Sequence, residues 1–179
     1  MVSYTINHQK SSISFSVKNT MLSRVRGVFK SFSASIKCED LEMLEALHAT
    51  FSIEVASLCT KNVLRDSVLQ SRKLFDVEQY PTITFTTTGS TMIGNHRFIA
   101  NGIMTLKGKS CPVDFIIQLK GESIDAENRH VYTLECTSIL NRLDFQFTCN
   151  DLVQFGDFLV DENIQVYIAL ELYRQTEDE

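Results

Sequence analysis

Six residues in three places carry the groups that could hold a charged or carbonyl head group. Arg24 and Arg26 flank Val25 just before Gly27, Arg65 and Arg72 lie on or after a short helical stretch, and Asn141–Arg142 follows an apolar run. Arginine offers a rigid fork of donors suited to phosphate or carbonyl oxygens. Taken singly, each is more simply a solvated charge or half of an ion pair, such as Arg65 with Asp66 or Arg142 with Asp144. Gathered at strand–helix junctions, where loops carry function, the set suggests one end of a binding site.

The residues for bond-making chemistry do not form a pattern. There is no GxSxG elbow, no HExxH and no glycine-rich phosphate loop. His8, His48, His96 and His130 are dispersed among turns and strand ends, where a surface role outweighs that of a base or metal ligand. Cys38, Cys59, Cys111, Cys136 and Cys149 are widely spaced and odd in number, without a CxxC pair. Cys59 and Cys149 read as small hydrophobes. Asp66, Asp76 and Asp144 each neighbour an Arg, Val or Phe that suits a structural turn equally well. The reading is of a protein that is not an enzyme and needs no metal or cofactor.

Bulk properties narrow the partners. The chain has 179 residues, 44% of them hydrophobic, with a net charge of -5. An acidic surface repels phosphate backbones, so nucleic acid is excluded as a partner. No Lys/Arg run and no basic amphipathic helix supports docking on an anionic membrane. No apolar run reaches the length needed to span a bilayer. The amino terminus shows no secretion signal, and with an odd set of thiols the expectation is a reduced, cytoplasmic protein.

The elements that must position the site are strands. Ile13, Phe15 and Val17 alternate with serines, as do Phe32, Ala34 and Ile36, and Phe51, Ile53 and Val55 follow the same period. TITFTTT, with Ile83 and Phe85, favours strand by composition. Further alternating runs cover residues 97–106, 112–119, 131–138 and 164–172, and residues 2–6 complete eight or nine strands. Turns at Gly94-Asn95, Lys107-Gly108 and the polar stretch 121–130 are short, so neighbours in sequence should pair antiparallel in up-and-down order around a barrel. If Phe29 and Phe32 both face inward, a β-bulge lies between Gly27 and Phe32. Residues 39–47, with Leu41, Leu44 and Glu45 at helical spacing, read as a helix. Residues 60–71 read as a second, capped by Thr60, with Leu64 and Val68 on one face. One domain spans residues 1–175, followed by an acidic tail, residues 176–179, expected to fray.

Inward positions on these strands are Phe15, Val17, Phe32, Phe51, Ile53 and Val55 in the first half. In the second they are Ile83, Phe85, Phe98, Met104, Phe115 and Leu170. Periodicity alone favours their packing on one another over their lining a pocket.

The run VRGVFKSFSASI at residues 25–36, followed by RDSVLQSRKLFDVEQYPTITF at residues 65–85, resembles the YceI-like family of lipocalin-like polyisoprenoid-binding proteins. NGIMTLKGKSCPV at 101–113, SILNRLDFQF at 138–147 and ENIQVYIALELY at 162–173 agree in order and spacing. The resemblance implies an all-β fold, an extended eight-stranded antiparallel barrel with short helical insertions. Its pore would hold an isoprenoid, a quinone-like molecule or another long-chain lipid, and a homodimer is implied as well. It turns the twelve inward residues into candidates for the lipid tail and the six polar ones into candidates for its head group. The chain departs from the family pattern at Lys10, Asn19 and Val68, where histidines are common, at Gln70 for an arginine, and at Gln146 for a glycine. These fall on polar positions, which points to an altered head group. They also motivate an alternative, a stress or interaction protein whose barrel is filled and binds nothing. A lipid hydrolase is the weakest of the three readings.

Overall fold

A computed structural model describes residues 1–19, 23–44, 46–148 and 160–175. Among these residues the strands are β1 (Val2–Ile6), β2 (Ser12–Asn19), β3 (Arg24–Phe29), β4 (Phe32–Cys38), β5 (His48–Glu54), β6 (Leu58–Cys59), β7 (Thr82–Gly94), β8 (Arg97–Leu106), β9 (Lys109–Ile124), β10 (His130–Asn141) and β11 (Val160–Arg174), and the one α-helix described is α1 (Val63–Gln70). Every pairing is antiparallel.

Two staves of the barrel are broken strands. β1 and β2 both pair with β11, Ile6 opposite Leu172 and Ile13 opposite Ile168, so they occupy one position around the wall. β3 and β4 likewise share the next, pairing with β2 and β1. Counted this way, eight staves close into an up-and-down antiparallel barrel, because β11 pairs with β10 on one edge and with β1 and β2 on the other. Phe29 and Phe32 are both buried, but a break between two strands at Lys30 and Ser31 turns them inward and not the expected β-bulge. The backbone groups freed there find partners at the end of β5 and just after it: Glu54 N–H donates to Ser31 O at 3.0 Å, and Lys30 N–H donates to Ser57 O at 3.2 Å. At the other break, Lys10, one of the residues that depart from the family pattern, pairs with Glu171 at 3.2 Å.

Two expectations about helices need correction. Residues 39–44 form turns, not a helix. Leu44 has φ 45 and Ala46 φ 53, both left-handed, and the Asp40 carboxylate accepts from Glu42 N–H at 2.8 Å to set the first turn. Leu41, Leu44 and Leu47 are instead buried as a plug. The second helix forms but begins later: its cap is Asn62, whose side chain accepts from Arg65 N–H at 3.0 Å, a bond of about 1 kcal/mol. Thr60 hydrogen-bonds Asp66 instead. Leu64 is 81% exposed, so it does not share the inward face of Val68. The strand expected through Val55 ends at Glu54, and Val55 is buried in a 3-10 turn. Glu45, Cys149 and the acidic tail lie outside the described residues.

Glycines of the recognised runs make room for rings. A Cβ on Gly27 would lie 2.4 Å from the Phe15 ring, and one on Gly102 would lie 2.4 Å from the Phe85 ring and 2.6 Å from Thr86 O. Backbone on one side of Gly102 cannot yield, so Gly102→Ala should lower stability by about 1–3 kcal/mol, the usual cost of overpacking. Gly89→Ala, where a Cβ meets nothing within 4 Å, is the matched control and should leave the thermal midpoint in place. Equal effects from the two in a denaturation series would overturn this account.

Candidate functional site

The inward side chains do not quite meet. They enclose a hollow with about 80 Å³ for the centres of water-sized molecules, or about 750 Å³ counted wall to wall with its opening. Its exposed wall is entirely apolar. The one polar side chain in the lining, Thr87, has its hydroxyl occupied: it accepts from Ala49 N–H at 2.8 Å and donates to Leu47 O at 3.1 Å. Only its carbon is left for the wall.

Six of the twelve expected tail residues come together here: Phe51, Ile53, Phe85, Met104, Phe115 and Leu170. The rings of Phe85 and Phe115 meet edge to face, 5.0 Å between centroids, which is the geometry their quadrupoles favour. Val17, Phe32, Val55, Ile83 and Phe98 are buried around the hollow without lining it. Phe15 lies over Gly27 and packs on Phe29 at 5.8 Å. Sequence reasoning passed over Ile36, Leu134 and Ile168, which the same alternation would have supplied, and the leucine plug, which it took for a helix.

Connecting segments pack over both ends of the barrel, and the one at the β4–β5 end lines the hollow itself. At the β4–β5 end sit Leu41, Leu44 and Leu47. Ser90 of β7 donates to Leu44 O at 2.6 Å, and with Thr87 to Leu47 O it clips this plug to the wall. At the opposite end, Phe75 from the segment after α1 packs on Phe147 at 5.0 Å and on Phe29 at 6.5 Å. The left-handed Asp76 (φ 49) turns the chain there, its N–H donating to Ser71 O at 2.9 Å, so that Leu74 and Phe75 point inward. Tyr80 then rests against Gly108 of the β8–β9 turn. This explains the long recognised run around α1: it builds a stopper.

None of the six head-group candidates lines the hollow. Arg142 is buried and donates to the backbone carbonyls of Asp161 and Phe147, bracing the β10–β11 connection. Asn141 caps the 3-10 turn that follows, accepting from Leu143 N–H at 2.9 Å. Arg72 makes a solvent-exposed ion pair with Glu78 at 3.8 Å. Arg24, Arg26 and Arg65 share a second groove, apart from the hollow. Gln146, at the position where a glycine is usual, has φ 63, the conformation that makes glycine usual.

The one thiol in the lining, Cys136, is pushed up to about 12 by burial, so it stays protonated at neutral pH and is a poor nucleophile. Among the described residues no three His, Cys, Asp or Glu side chains gather as a metal site. No helix among them is long and apolar enough to cross a membrane.

Comparison with known proteins places this geometry. The YceI-like domain model matches residues 4–172. A UPF0312 protein of Staphylococcus aureus is 26% identical over 172 residues, covering 96% of this chain and 97% of that one. Among solved structures, BcnA of Burkholderia cenocepacia superposes with a TM-score of 0.80 at 22% identity, over 93% of this chain and 98% of that one. A Campylobacter jejuni YCEI protein gives 0.73 at 25% identity, over 86% and 87%. A polyisoprenoid binding domain from Saccharophagus degradans, implicated in plant cell wall breakdown, gives 0.69 at 14% identity, over 98% and 100%.

Ser90→Ala removes a bond that holds the leucine plug while leaving the barrel ladder alone. A net loss of about 1 kcal/mol should speed amide exchange around Leu41–Leu44 about fivefold, with β9 and β10 unchanged. Unchanged exchange at the plug would show that the clip is not what keeps it seated.

Proposed function

Because the chain belongs to the YceI-like family, we propose that its barrel binds, as carrier or store, a long apolar lipid of isoprenoid or quinone-like type. The single observation that carries this reading is the fully apolar wall of the hollow, where even the one polar side chain has its hydroxyl satisfied by backbone. Such a wall discriminates by burial alone, each methylene withdrawn from water contributing about 0.8 kcal/mol. The solved polyisoprenoid binding domain with the same fold supports the choice of guest. The tail would lie along Phe51, Phe85, Met104, Phe115 and Leu170. Because the head-group arginines are directed elsewhere, the head end would be fixed weakly, and chain length would matter more than head-group chemistry.

The role is non-catalytic in this reading. The wall offers a protonated thiol and no base, and of the histidines His130 is held at the rim of β10 by Glu122, 2.9 Å away. The homodimer implied by the resemblance belongs to the same proposal.

One observation favours a second reading, the filled barrel. A hollow with about 80 Å³ for the centres of water-sized molecules is small beside a long prenyl chain, and the leucine plug occupies one end of it. On the first reading a plug yields and the phenyl rings rearrange as the guest enters; on the second they never do.

Organic extraction of protein purified from its native cells, followed by mass spectrometry, separates the two. A prenyl or acyl species at near one equivalent is expected. Phe85→Arg or Phe115→Arg should abolish loading in variants whose far-ultraviolet dichroism remains that of a barrel. Repeatedly empty extracts would leave the filled barrel as the better description.

A further inference from the structure

We propose that the outer wall beside α1 docks on an anionic lipid membrane, with Val63 and Leu64 entering its interfacial region. The groove there is broad, about 1180 Å³, and it is lined by residues of β2, β3 and β11 together with Thr60, Lys61 and Arg65. Five cations line it: Arg24, Arg26, Lys30, Lys61 and Arg65. Among the described residues its lining contains no acidic side chain. In a chain of net charge -5 this concentration makes the molecule strongly dipolar, the remainder being more acidic still.

The cations are held in different ways. Arg24 donates to Gln165 Oε1 at 3.1 Å, and Arg65 donates to Thr60 Oγ1 and Thr60 O, both at 2.8 Å. The nearby Asp66 carboxylate accepts from Thr60 N–H at 2.9 Å and from its hydroxyl, which fixes the loop that carries Lys61. Gln165 positions the charge of Arg24 without cancelling it, whereas Asp66, one hydroxyl removed from Arg65, offsets part of that one.

The second observation is apolar. Val63 and Leu64, in the first turn of α1 between Lys61 and Arg65, are each 81% exposed, the highest of any large hydrophobic side chain described. Two solvated aliphatic side chains ringed by cations match a membrane interface, where head groups take the charges and the acyl boundary takes the side chains. A nucleic acid would use the charges and leave Val63 and Leu64 in water. Five cations near an anionic leaflet give useful attraction even at physiological salt, at about fivefold in binding for each. The inference does not depend on a guest in the barrel, so docking can fail while lipid loading stands, and the reverse.

The test is flotation of the full chain with vesicles of phosphatidylcholine, or of phosphatidylcholine with a third phosphatidylglycerol. The wild type should bind the anionic vesicles at least about tenfold better, less so as salt rises. Arg26→Glu with Lys61→Glu should lower binding about twentyfold or more. Val63→Ser with Leu64→Ser, at positions too exposed to disturb folding, should lower it about fivefold while leaving the salt dependence. Lys37→Glu, exposed on β4 away from the groove, should change little. Equal partition onto the two vesicle types overturns the proposal. So does a Lys37→Glu loss as large as the double reversal, or no effect of removing the two aliphatic side chains.

Discussion

The fold is held by a single strand with two sets of obligations. β11 is fifteen residues long, and its backbone must pair along both edges, with β10 on one side and with β1 and β2 on the other. An open edge of that length would be a template for association with other chains. Closure removes it, and closure sets the inward face of every stave. Because β1 and β2 share one edge of β11, the five residues between them must be accommodated outside the ladder. Glu171 supplies the anchor: its carboxylate accepts from Asn7 Nδ2 at 2.8 Å and pairs with Lys10, while its N–H donates to Ser11 Oγ at 3.0 Å. The same logic operates at Lys30–Ser31, so the two broken staves lie side by side and each break is satisfied locally.

Much of this is legible in the order of residues because a strand has a period of two and a barrel has an inside. The alternations around Phe15, Phe32 and Phe51 fix which side chains go inward, and the Phe29/Phe32 spacing demands an irregularity, which the fold supplies as a strand break where a bulge was expected. What fails is the leucine segment. Leu41 and Leu44 are three apart, a separation that a helix face and a plug seated on turns satisfy equally; the left-handed Leu44 is a tertiary outcome that propensity does not contain. Thr60 fails as a cap because Asp66 and Arg65 claim its hydroxyl, while Asn62 is better placed by two residues.

The candidate site is legible in its chemistry and not in its membership. Twelve inward positions were readable, but period two cannot say at which height along the axis side chains stop touching, and only six border the hollow. The polar set was read as one mouth of the barrel; the fold spreads it over a second groove, a buried brace and a solvent pair. The basic groove itself is invisible in sequence, since no Lys/Arg run exists. It arises when β2 and β3 turn alternate residues outward and β6 brings Lys61 and Arg65, more than thirty residues away, against them.

The leucine plug has a kinetic meaning. A molecule lodged against Leu41, Leu44 and Leu47 would leave past them no faster than that closure swings away. Its dwell time would then track local opening of a few turns of backbone, held at the leucine side by two hydroxyl hydrogen bonds. Retention and tightness are thereby separated: lengthening the hydrocarbon deepens the well, whereas loosening the closure shortens the wait without changing how deep the well is.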